Sequence, residues 1–148
     1  MTEEHMQPAP LAQHLDQAVV TAEIAKALRT TLFSSTLSVA PRQVNELASQ
    51  LAQHFYAFYD SRDQAAAMRQ GAELARAGVG SRSALAMTEA VRRSARLHAN
   101  PLAELPDLAG AFCNALLEGF MEARGQMLLE VQERTHRAYL AAQQSGAG

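Results

Sequence analysis

The chain has 148 residues, 48% hydrophobic and 19% charged, enough for one domain with a sizeable core. A net charge of −2 offers no basic excess for tracking phosphates, which argues against a nucleic-acid partner. One cysteine, Cys113, excludes an internal disulfide framework and suits a reducing compartment, and no uncharged apolar run reaches the length of a membrane span.

Residues 1–10 are polar, with Glu3, Glu4, Pro8 and Pro10, and lack the basic start and apolar centre of a signal peptide. They read as a flexible lead-in to a cytoplasmic protein. From Leu11, apolar residues at Leu15, Ala18/Val19, Ala22, Ala25, Leu28 and Leu32 form a helical stripe. Ser34-Ser35-Thr36 and Ser38 interrupt it, and Pro41 suits the first position of a second helix, continued by Val44, Leu47, Leu51, Phe55 and Phe58. Ser61 with Gln64 three residues on predicts the capped start of a third helix, which Gly78 ends as a left-handed stop. Ser81 predicts the cap of a fourth, with Leu85, Thr88, Val91 and Ala95 on its inner face as far as His98. Asn100-Pro101 and Leu105-Pro106 break the chain once more.

The long run from Leu105 to Gln144 has no proline past Pro106 and is rich in strong helix formers. At about 1.5 Å per residue it would extend on the order of 50 Å, more than the width of a domain this size, so one end should project. Leu105, Leu108, Phe112, Ala115/Leu116, Gly119/Phe120 and Ala123 share one apolar face, and beyond Met127 charge takes over. No segment alternates as a strand does. The expected fold is all-α, a globin-like or five-helix bundle with a long C-terminal helix: one domain over 11–142 and a linker-like tail over 143–148.

Catalytic patterns are missing. There is no nucleophile elbow, phosphate loop or carboxylate pair in an apolar setting, so an enzyme is not expected. The five histidines form no metal-binding pair on one helix. His54, beside Phe55 and a turn before Phe58, and His98, on the face of Val91 and Ala95, are the two that could ligate a haem in a pocket completed by Met87. A lone histidine near an apolar face is more often hydrogen-bonded to backbone, and the expected cofactor is none. Cys113, among Phe112 and Leu116/Leu117 with nothing basic within a turn, reads as core. Arg92, Arg93 and Arg96, with Glu89, read as a solvated helix face.

The stretch Gly71-Ala72-Glu73-Leu74-Ala75-Arg76-Ala77-Gly78-Val79-Gly80-Ser81-Arg82-Ser83-Ala84-Leu85-Ala86-Met87-Thr88-Glu89-Ala90 resembles the centre of the N-terminal sensor domains of RsbR-type stressosome co-antagonists. Leu116 to Ala142, with its Leu-Glu-Gly-Phe and Gln-Glu-Arg elements, is similar to the helix joining such domains to a STAS (anti-sigma-factor antagonist) domain. The resemblance implies a non-haem globin-like fold, a homodimer, and a signal passed through the exit helix to a STAS, kinase or phosphatase module. The chain contains no STAS domain, so no residue-level role of that family carries over; an excised sensor domain and a stand-alone relative are both open.

The expectation is therefore a signal-transducing sensor domain. Leu116, Phe120, Ala123, Met127 and Val131 are its expected dimer and transmission positions. The alternative is a haem-, tetrapyrrole- or small-molecule-binding domain, its pocket formed by His54, Phe55, Phe58, Met87, Val91 and His98.

Overall fold

The computed structural model describes residues 11–32, 41–98 and 104–146. The described residues form six α-helices: α1 (Leu11–His14), α2 (Gln17–Leu32), α3 (Pro41–Ser61), α4 (Gln64–Arg76), α5 (Ser81–Leu97) and α6 (Leu105–Gly146). The predicted lead-in and the breaks at Ser34 to Ser38 and Asn100-Pro101 lie outside them. The fold is all-α with a long C-terminal helix, as the sequence predicts.

The first predicted helix is two. Asp16 interrupts it: its Oδ1 accepts from the Ala18 amide at 3.0 Å, and its carbonyl accepts from Val19 and Val20. An aspartate that caps a new helix gives the backbone an alternative to continuing the old one. The restart also resets the phase, so Val20, Ile24, Ala25 and Leu28 face inward while Ala18, Val19 and Ala22 are exposed. The Tyr56 hydroxyl donates to the Leu15 carbonyl and ties α3 to this junction.

Two predicted caps move by one or two residues. α3 runs through Ser61, Arg62 turns the chain at φ +56°, and Asp63 caps α4 by accepting from Ala66 N at 3.1 Å. Ser61 still takes part, its Oγ accepting from the Asp63 amide at 3.2 Å. At the other end of α4, Gly78 adopts φ +89°, as expected of a left-handed stop. Val79 N donates to Leu74 O and Gly78 N to Ala75 O, both at 3.1 Å, and buried Val79 packs with buried Leu74 in the core cluster. This turn leaves Gly80, not Ser81, as the residue before α5, with no side-chain cap. α6 begins at Leu105 with Pro106 inside its first turn, where a missing amide costs no hydrogen bond. It continues as helix through Gly146, where the sequence suggested a linker from residue 143.

The N-terminal half of α6 is the axis of the core. Leu105, Leu108, Ala109, Phe112, Cys113, Leu116, Phe120 and Ala123 are all buried. α4 lies against it at backbone contact: a Cβ added to Gly71 would sit 1.8 Å from Leu116 O, and one added to Gly119 would sit 2.0 Å from Met68 O. α5 packs on the other side of α6, and α2 bridges α5 and α3. Arg29 donates to Asn45 at 3.0 Å across α2 and α3, and Thr31 and Ser83 share a hydrogen bond of 2.8 Å across α2 and α5. The inner face of α5 is small: Ser83, Ala84, Ala90, Ser94 and Ala95 are buried with Met87, Thr88 and Val91.

Candidate functional site

α6 has 42 residues, about 63 Å at about 1.5 Å each. Its last buried residue is Ala123, and every position from Leu128 to Gly146 is exposed. Glu133 and Arg137 pair one turn apart at 3.7 Å on this rod. Its surface also carries apolar side chains, with Leu128 57% and Val131 56% exposed.

Counting back from Val131 in steps of three and four gives Leu128, Arg124, Met121 and Leu117; counting forward gives Thr135, Ala138 and Ala142. At about 100° per residue these positions fall on one line along the helix. The line is apolar except for Arg124 and Thr135, and Glu130, Glu133 and Arg137 lie on the far side. Where it reaches the bundle it becomes a cleft of about 350 Å³ between α6 and the start of α5. Leu117, Met121 and Leu128 form its α6 wall, buried Phe120 its floor, and Leu85 of α5 the opposite wall. Leu85 is 58% exposed and Met121 69%.

Four of the five expected dimer positions therefore lie off this outward line. Leu116 and Ala123 are buried within the chain's own core, and Phe120 is buried at the cleft floor; none of the three offers free surface. Met127 is half-buried against the core. Val131 alone of the five stands fully outside. Advancing each of the others by one gives Leu117, Met121, Arg124 and Leu128, the outward line. The cause is α4, whose two close backbone contacts claim the face of Leu116 and Gly119. The sequence reading also placed Leu85 inside. The steps Ala84, Met87, Val91 and Ala95 carry the true inner face, and they were legible as a second, smaller-residue stripe.

The expected ligand pocket is filled by protein. The Phe112 ring stands 5.4 Å from both Phe55 and Phe58, and all three are buried. Met87 and Val91 are buried in the same cluster, so the apolar residues expected to line a cavity pack on one another instead. His54 is half-buried on α3. His98 ends α5 with φ −113° and ψ 19° and is exposed; leaving helical geometry takes it off the Val91 and Ala95 face. Among the described residues no group of three or more His, Cys, Asp or Glu is placed to hold a metal ion.

Cys113 donates to Thr88 O at 3.4 Å from within the core. Burial pushes its thiol up to about 12, with Arg92 pulling the other way and Glu89 adding to it. Arg92 is the basic neighbour that local sequence did not disclose, because it comes from α5; it donates to Asn114 at 2.8 Å. Its neighbours on that helix are paired: Arg96 reaches Glu89 at 3.1 Å, and Arg93 reaches Glu23 of α2 at 3.9 Å. No helix among the described residues is long and apolar enough to cross a membrane.

No family model, curated protein or solved structure matches the chain.

Proposed function

We propose that the chain is a cytoplasmic, non-enzymatic signalling input domain that forms a homodimer. It passes a signal along α6 to a STAS, kinase or phosphatase module, as its resemblance to RsbR-type sensor domains implies. The observation that carries this is α6 itself, half buried as the axis of the core and half exposed. One continuous helix rooted in a core and extending past it converts a small rotation inside the bundle into a displacement outside it. The solid packing of Phe55, Phe58 and Phe112 gives no support to the haem or small-molecule alternative.

Helix phase is the testable quantity. In a fusion of the chain to a STAS or kinase module, seven residues inserted after Glu133 advance the rod by about two turns and nearly preserve its rotation. Four inserted residues rotate everything beyond them by about 40°. The expected result is that the four-residue insertion alters the output while the seven-residue insertion does not. Equal output from both insertions and the parent would remove the transmitter role.

A further inference from the structure

We infer that the cleft between Leu85 of α5 and the Leu117, Met121 and Leu128 wall of α6 is the seat for a second copy of this chain, filled by the apolar line of that copy's α6. This rests on the reading of α6 as a rod that pairs with its twin, and adds where the pairing begins and that α5 takes part.

Four observations favour a second copy over another occupant. The residues that wall the cleft continue outward as the line through Val131, Ala138 and Ala142, so each copy carries both a seat and a filler for it. Such a contact is reciprocal, as a two-fold dimer requires. Every residue of the rod from Leu128 to Gly146 is exposed, and a lone helix of that length is marginal in water. Glu130, Glu133 and Arg137 of the rod lie away from the line and Arg134 borders it beside Val131 and Ala138, as charges flank the seam of paired helices, and Glu133 and Arg137 already satisfy each other.

The fourth observation is Gly125, a cleft residue in the middle of α6. A Cβ built on it meets nothing within 4 Å, so no contact inside the chain requires glycine. Glycine inside a helix costs about 1 kcal/mol relative to alanine. Gly110 of the same helix is equally open but lies away from the cleft; at Gly125 the bare backbone leaves room for a neighbouring helix to approach. A cleft of about 350 Å³ accommodates the side chains of one helix, not a folded domain.

The test uses the full chain, with sedimentation equilibrium across a dilution series and circular dichroism as the check on folding. Leu85→Glu and Met121→Glu alter exposed side chains and should keep the helical spectrum. Each is expected to raise the dimer Kd about tenfold or more, since charge is placed in a desolvated contact. Leu129→Glu, equally exposed but about 100° off the line, is expected to leave the Kd unchanged. A wild-type chain that stays monomeric overturns the inference, as does a Leu85→Glu dimer of wild-type strength or an equal loss in Leu129→Glu. If Val131→Glu dissociates the dimer and Leu85→Glu does not, the seat is wrong while pairing of the rod stands. If Leu85→Glu dissociates it but helix-phase insertions leave a fused output unmoved, the seat stands and transmission fails.

Discussion

Gly71 and Gly119 set how close α4 comes to α6, and each is a glycine for a steric reason. A side chain at either position would meet backbone, 1.8 Å from Leu116 O or 2.0 Å from Met68 O, and backbone cannot swing aside as a flexible side chain can. Gly119→Ala and Gly71→Ala should each destabilise the fold by at least about 2 kcal/mol through overpacking. For a chain this size that lowers Tm by about 4–8 °C. A thermal melt within a degree of wild type for either variant would show that the helices can separate freely. The same substitution at Gly110, whose built Cβ meets nothing, should be neutral to stabilising.

Cys113 gives the fold an alkaline limit. Its pKa is raised from 9.0 to about 12 in the folded chain by burial, so the native state holds its proton where the unfolded chain releases it. The stability contributed by the protonated thiol is fully present below pH 9 and is lost as pH rises towards 12. Tyr56, raised from 10.0 to about 12 by burial and then by Asp16, loses its contribution over the upper part of the same range. Denaturant melts should show stability falling from about pH 9 upward, with the onset moved to higher pH in Cys113→Ala. An onset unchanged by that substitution would mean that the buried thiol is not responsible. At neutral pH the thiol should resist alkylation until the chain unfolds.

Among the elements, the α1–α2 junction was the hardest to read and α6 the easiest. Asp16→Ala removes the cap that restarts α2 and should cost about 1 kcal/mol, read as a drop in the urea midpoint with an unchanged slope. Helices α3 and the N-terminal half of α6 were legible because their inner faces carry large side chains, Leu51, Phe55 and Phe58 on one and Leu108, Phe112, Leu116 and Phe120 on the other. α2 was legible where it ends but not in its start at Gln17 or the phase of its first turns, because a stripe rich in alanine fits two rotations equally well until Asp16 selects one. The exposed side of Leu85 was missed for a related reason. On α5 the buried positions are mostly Ser and Ala, and a lone large residue looks interior by contrast when it is not. The one-residue offset of the α6 line depended on α4, a contact far away in sequence that no local periodicity encodes.

At the scale of the molecule, the backbone contacts at Gly71 and Gly119 divide the domain into a part that cannot shift and a part that can. Helices whose main chains touch have no layer of side chains to re-sort, so α4 and the root of α6 form a fixed keel. α2 and α5 are joined across their seam by side-chain contacts, Thr31 with Ser83 and Arg93 with Glu23 among them, and side chains can re-sort where touching backbones cannot. Native-state amide exchange should therefore be slowest along residues 67–75 and 108–120 and faster through α2 and α5. Fastest exchange in α4 would reverse the assignment. Under the sensing role proposed above, a keel of this kind would also decide which stimuli the domain can register. A perturbation reaching the seam between α2 and α5 would tilt α5, and with it Leu85, against a mast that stays upright; one arriving on the α4 side would be absorbed without being felt at the far end.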